Sequence, residues 1–190
     1  MKVALDMDEV LCSLISPILN NKKISLKYEE ITNYNLWEIM NLTKNEAIKL
    51  FIDLISEDFS KNHKILTPLD YTVDTIKKIK ERADKVYIVT ARPELLKDQT
   101  YSWVNKYLPN LVDDIVFTNK SVDLQFWNKA NILKYLGINL FVDDNLDNAR
   151  WAMNIGVEKV FLPNKPWNQG ENFENIVRIN SFNEILDYID

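Results

Sequence analysis

Val3-Ala4-Leu5-Asp6-Met7-Asp8 stands almost at the start of the chain, and its reading decides the fold. A short apolar run ends abruptly in two carboxylates one residue apart. The same pattern, apolar run then polar end, returns along the chain. Val86-Tyr87-Ile88-Val89 runs into Thr90-Ala91-Arg92, Ile115-Val116-Phe117 into Thr118-Asn119-Lys120, and Leu140-Phe141-Val142 into Asp143-Asp144-Asn145. Val160-Phe161-Leu162 ends at Pro163. Runs that are apolar on both faces fit strands of a parallel sheet covered by helices.

Helical patterns fill the gaps. Val73, Ile76, Ile79 and Ala83 form a stripe before the second strand. Pro93 suits the first position of the next helix, which carries Leu96, Trp103, Val104 and Tyr107. Asn128 can cap a short helix that stops at Gly137, another follows Asn145 and stops at Gly156, and Ser181 and Glu184 have capping-box spacing. Strand and helix alternate, so the fold class is α/β with an open parallel sheet flanked by helices. Residues 14–65 break the rhythm. Thr43 and Glu46 form a second capping box there, and Ala47, Leu50, Phe51 and Leu54 have helical spacing. This stretch reads as a small helical insertion after the first strand, in a core made of residues 1–13 and 66–190.

Composition narrows the chemistry. One cysteine, Cys12, excludes a disulfide framework and a cysteine zinc cluster. One histidine, His63, excludes a multi-histidine metal site within the chain, and three glycines are too few for a Gly-rich nucleotide loop. A net charge of −5 argues against binding extended nucleic acid, though not against a small phosphorylated ligand in a local pocket. No apolar run approaches the roughly 18 residues that span a bilayer. The expectation is a cytoplasmic protein with no membrane partner; a homodimer stays open.

In open α/β sheets, ligands bind beyond the carboxyl ends of the strands. Those ends carry Asp6, Asp8, Thr90, Asp143 and Asp144. Carboxylates converging on one crevice repel one another unless a cation joins them. Hard oxygen ligands suit Mg²⁺, which commonly bridges protein carboxylates and substrate phosphate. Each motif alone could be a loop and a helix cap; the combination at three strand ends is far more specific.

These motifs, Asp6-Met7-Asp8-Glu9-Val10, Thr90-Ala91-Arg92, a later lysine and Val142-Asp143-Asp144-Asn145, resemble the four motifs of the haloacid dehalogenase superfamily. The resemblance runs from residue 6 to 145 and implies a Rossmann-like core. The paired aspartates imply a phosphatase or phosphotransferase. Within the superfamily the chain most resembles the 5′(3′)-deoxyribonucleotidase group, although Glu9 departs from the Gly or Asn often found there. The resemblance implies Asp6 as nucleophile, Asp8 as general acid and base, and Thr90 with the Ala91 N–H on the phosphoryl oxygens. It implies a metal site from Asp6, Asp8 (through its backbone carbonyl) and Asp144, with Asp143 in support. The lysine is Lys129, with Lys134 as fallback. Arg92 either binds substrate phosphate or forms a salt bridge near the strand end.

The implied activity is Mg²⁺-dependent hydrolysis of small phosphate esters, foremost (deoxy)ribonucleoside monophosphates, through an aspartyl-phosphate. The insertion then acts as a cap over the site. Its Tyr34, Trp37, Phe51 and Phe59 either stack on a base or pack the cap's own core, and Trp127 and Trp167 on the core side carry the same two readings. His63 reads as a surface or hinge residue. The rivals are a phosphatase for nucleic-acid 3′ ends or sugar phosphates, and a non-catalytic phosphoryl-binding module. A phosphorelay receiver fits worse, because receivers carry their phosphorylated aspartate later in the sheet.

Overall fold

The computed structural model describes residues 1–21, 24–119, 128–170 and 172–189. Lys120 and Trp127 lie outside them. The centre is a six-stranded sheet: β1 (Lys2–Leu5), β2 (Lys85–Pro93), β3 (Asp114–Asn119), β4 (Leu140–Val142), β5 (Lys159–Pro163) and β6 (Ile176–Ile179). The spatial order is β3-β2-β1-β4-β5-β6, and every neighbouring pair is parallel. The order reverses between β1 and β4, the topological switch point at which such sheets open a binding crevice.

The helices are α1 (Ile15–Asn21), α2 (Leu36–Ile39), α3 (Lys44–Ser60), α4 (Thr72–Arg82), α5 (Lys97–Tyr107), α6 (Lys129–Leu136) and α7 (Leu146–Asn154). Because side chains alternate across a strand, β1 feeds two cores. Val3 and Leu5 join Ile76 and Ile79 of α4 and Trp103 and Val104 of α5 on one face. Ala4 joins Ile132 and Leu133 of α6 and Ala149 and Ala152 of α7 on the other. Strands buried on both sides this way explain the unbroken apolar runs.

Local chemistry sets the helix ends. Asn128 caps α6 by accepting the Asn131 N–H, and Gly137 closes it at φ 65°, a left-handed conformation that suits glycine. Asn145 caps α7 in the same way through the Asn148 N–H. The Thr43–Glu46 capping box opens α3. Ser181 and Glu184 also form their box, but on a 3₁₀ turn (Phe182–Tyr188). Pro93 does not open a helix. It ends β2, and a 3₁₀ turn at Glu94–Leu96 separates it from α5.

Between β1 and α4 the chain makes α1, a 3₁₀ turn at Tyr28–Glu30, α2 and α3. Leu14, Ile18, Leu54 and Ile55 of this stretch pack into the first core, while Ile15, Leu19 and Ile31 form a small cluster of their own. His63, read from sequence as a surface or hinge residue, lies where this stretch returns to the sheet, and it is buried rather than at the surface. Its Nδ1 lies 2.7 Å from Asp58 and its Nε2 2.9 Å from the Ser102 hydroxyl of α5. Asp58 also accepts the Ile65 and Leu66 N–H groups at 2.9 and 2.8 Å. The buried carboxylate thereby folds the returning chain over the end of α3 and carries His63 inside.

Candidate active site

Strand register builds the site. Leu5 of β1 lies beside Ile88 of β2 and Val142 of β4. The next residue, Asp6, donates its N–H to the Val142 carbonyl at 2.9 Å. Asp6 and Asp143 therefore leave adjacent strands at one level, with Thr90 just beyond Ile88 on the other side. One carboxylate oxygen from each of Asp6, Asp143 and Asp144 falls within 4.8 Å of the others, and all three residues are buried.

Lys129, in the first turn of α6, enters this cluster. Its Nζ donates to Asp6 and to Asp143, each at 2.6 Å. Burial disfavours the ammonium, but the carboxylates of Asp143 and Asp6 outweigh that, and its pKa is raised. Lys134, five residues further along the same helix, is exposed. Asp143 is saturated. Beyond Lys129 it accepts the Asn145 N–H at 2.8 Å and the Asn148 side-chain amide at 3.2 and 3.1 Å, which fixes it to the start of α7.

One lysine does not balance three buried carboxylates. Burial, opposed by Lys129 and reinforced by Asp143, pushes the Asp6 carboxyl from 3.8 up to about 7. Burial, then Asp143 and Asp6, pushes Asp144 well above the carboxylate range. An all-oxygen donor set carrying surplus negative charge fits a hard divalent cation, and such a cation reverses these shifts. The Asp8 carboxylate stands outside this cluster.

Asp8 and Arg92 instead hold each other. The Arg92 guanidinium, buried, donates through Nη2 at 2.6 Å to one Asp8 oxygen and through Nε at 2.9 Å to the other. Its Nη1 reaches the Thr100 hydroxyl at 3.3 Å. Burial works against the guanidinium, and the Asp8 carboxylate more than restores it, so its pKa is raised. Of the two readings of Arg92, the salt bridge is the one present. Thr90 is buried and its hydroxyl accepts the Arg92 N–H at 3.2 Å.

A cavity of about 300 Å³ opens above these groups. Asp6, Asp8, Thr90, Ala91, Arg92, Lys129 and Asp144 form its floor and sides. Its other wall comes from the stretch after β1, with Tyr34, Trp37 and Phe51 among the apolar residues there. Tyr34 is 47% exposed as a whole, yet its phenol pKa is raised, first by burial and then by the Asp144 carboxylate. Phe59 does not line the cavity; its ring packs 5.8 Å from that of His63.

Two residues named in the sequence reading, Glu9 as a departure from the family pattern and Trp167 as a stacking or packing ring, have roles there that the sequence did not show. Glu9, at φ 62°, accepts the Leu14 and Ile15 N–H groups at the start of α1, both at 2.7 Å, and the Tyr28 hydroxyl at 2.9 Å. Trp167 donates its indole N–H to Asp144 at 2.8 Å.

No family model matches the chain. Among curated proteins it is 25% identical over 192 residues to the "Putative nucleotidase YqfW" of Bacillus subtilis, covering 100% of this chain and 93% of that protein. Among solved structures it superposes with a TM-score of 0.68 on a haloacid dehalogenase-like hydrolase from Streptococcus pneumoniae, at 13% identity and covering 98% of this chain and 97% of that one. The chain has the fold of this haloacid dehalogenase-like hydrolase. Another haloacid dehalogenase-type hydrolase, the "putative HAD-hydrolase YfnB" of Bacillus subtilis, was solved bound to magnesium; it matches with a TM-score of 0.60 at 13% identity, covering 98% of this chain and 97% of that one. Asp6, Asp143 and Asp144 are this chain's candidate ligands for such an ion. No described helix is long and apolar enough to cross a membrane.

Proposed function

We propose that this protein is a Mg²⁺-dependent phosphomonoesterase acting on nucleoside monophosphates. The observation that carries the reading is one arrangement. Asp6 stands on Lys129 inside an acidic cluster at the switch point, and it opens onto a cavity whose far wall holds Tyr34, Trp37 and Phe51. The relative named as a nucleotidase supports the substrate class.

An Asp6 carboxylate oxygen attacks phosphorus. The ester P–O bond breaks, and the leaving oxygen takes a proton from Asp8. Asp8 then removes a proton from water, which attacks the same phosphorus, and the bond to Asp6 breaks to release phosphate. Lys129, the Thr90 hydroxyl and the Ala91 N–H hold the phosphoryl oxygens. Asp6, Asp144 and the Asp8 carbonyl would hold Mg²⁺, which when bound neutralises phosphoryl charge. Residues 14–65 serve as the cap that selects the leaving group.

The test is phosphate release from a panel of nucleoside monophosphates, sugar phosphates and 3′-phosphorylated oligonucleotides. Preference for nucleoside monophosphates supports the reading. Preference for sugar phosphates or for oligonucleotide ends replaces it with one of the rival phosphatase readings, and no release from any of them favours the binding-module reading.

A further inference from the structure

We propose that Trp167 is a positioning residue for the metal centre: its indole N–H sets the orientation of the Asp144 carboxylate before a divalent cation arrives. The proposal rests on the reading of the acidic cluster as a cation site.

Trp167 lies in the 3₁₀ turn Pro166–Asn168, which follows β5. This turn grips Asp144 at two points. The Trp167 indole donates to the side-chain carboxylate at 2.8 Å, and the Asn168 side-chain amide donates to the Asp144 backbone carbonyl at 2.8 Å. The same Asn168 amide reaches the Pro163 carbonyl, also at 2.8 Å, so the turn is itself anchored to the end of β5. Asn168 is buried.

The chemistry of Asp144 explains why such a grip matters. The carboxylate is buried beside Asp143 and Asp6, whose charges repel it. Lys129 bonds to Asp6 and Asp143. The Asp144 side chain instead accepts its hydrogen bond from Trp167. A neutral donor satisfies one oxygen without adding a competing charge. An indole has one donor and no acceptor, so its direction admits no flip. Hydrogen bonds of this kind to a metal-ligating carboxylate hold it in the binding orientation, and their loss typically costs about 10–100-fold in metal affinity.

Trp167 is held in turn from the opposite side. Its ring meets that of Tyr28 edge-on, with centroids 5.6 Å apart, and the Tyr28 hydroxyl donates to Glu9. Trp167 thus touches a residue of the stretch after β1 while bonding to a residue at the end of β4, and it lines the cavity between them.

The experiment is calorimetric titration of the metal-free protein with Mg²⁺, and with Mn²⁺ as a tighter probe, for wild type, Trp167→Phe and Trp167→His. Phenylalanine keeps a ring against Tyr28 and removes the donor; histidine keeps a donor. Trp167→Phe is expected to bind both ions about tenfold or more weakly, with Trp167→His closer to wild type. Wild-type affinity in Trp167→Phe overturns the proposal, and so does an equal loss in both variants, which would assign the effect to packing. Should either variant fail to fold by circular dichroism, the wild type supplies the answer. Its five tryptophans give few indole N–H resonances, and that of Trp167 is expected to shift with the calorimetric midpoint as Mg²⁺ is added. An indole spectrum unchanged at saturating Mg²⁺ overturns the proposal. A wild type that binds neither ion instead removes the cation-site reading on which it rests.

Discussion

Arg92 closes a two-pronged fork on Asp8, residues 84 positions apart, with contacts of 2.6 and 2.9 Å. The fork uses the planar geometry that distinguishes arginine from lysine. It commits Arg92 to Asp8, and Lys129 and Lys44 are the other cations lining the cavity among the described residues.

The two roles separate kinetically. If Arg92 orients Asp8, Arg92→Lys keeps the charge, loses the fork, and lowers kcat by about tenfold or more with KM little changed. If Arg92 binds substrate phosphate, KM rises first. Steady-state kinetics on one nucleoside monophosphate decides, and a rise in KM alone contradicts the positioning role.

Asp8→Asn should slow both chemical steps, but not equally for every substrate. An activated leaving group such as p-nitrophenolate needs little protonation, so formation of the aspartyl-phosphate suffers less than its hydrolysis. Rapid-quench measurement of the intermediate reports both steps. Equal defects in both steps, with activated and unactivated leaving groups alike, argue that Asp8 is not the proton carrier.

The strand-end carboxylates were legible in sequence because parallel strands buried on both faces leave a plain signature, and because the chain must turn polar where a strand meets the crevice. The partners of those carboxylates were not. Asp8 meets Arg92, Asp144 meets Trp167 and Glu9 meets Tyr28 only after the sheet sets their register, and no local periodicity records that. β6 was missed for a different reason. It is a four-residue edge strand whose two middle residues are only partly buried, so Ile176-Val177-Arg178-Ile179 lacks the continuous apolar run of a central strand. His63 shows the limit for a lone polar residue: its burial depends on Asp58 and on Ser102, 39 positions away.

The acidic cluster makes stability depend on pH and on metal in a defined direction. Asp6 has a folded-state pKa raised from 3.8 to about 7 by burial first, with Asp143 adding and Lys129 opposing. Between those values the native state binds more protons than the unfolded state, so this group's contribution falls as pH rises through the window. Asp6→Asn removes the contribution. In EDTA, the variant should gain on wild type between about pH 5 and pH 8, by on the order of 1–3 kcal/mol in urea unfolding. Saturating Mg²⁺ at the higher pH should raise the wild-type midpoint and restore activity that chelation abolishes. A variant that tracks wild type across the window, or full activity after rigorous chelation, contradicts the electrostatic account of the cluster.

Substrate choice must come from the wall opposite the carboxylates, because the floor contacts only what every phosphate monoester shares. That wall offers Tyr34, Trp37 and Phe51, and Phe59 stands apart against His63. Stacking a base on an aromatic ring is worth about 1–3 kcal/mol, or roughly tenfold to a hundredfold. Nucleoside monophosphates should therefore exceed glycerol phosphate and sugar phosphates by about tenfold or more in kcat/KM. Alanine at Trp37 or Phe51 should erase much of that margin and change p-nitrophenyl phosphate hydrolysis far less, since that ester draws its rate from the floor and from its own leaving group. Phe59→Ala supplies the control. It trims an exposed ring outside the cavity, so it should leave the ratio between substrates where it was, whatever it does to stability. A ratio that moves equally in all three variants would trace the effect to loosening of the stretch after β1 as a whole and would remove these aromatics from substrate selection. A preference for sugar phosphates in the wild type would do the same more directly, while leaving the chemistry of Asp6 and Lys129 untouched.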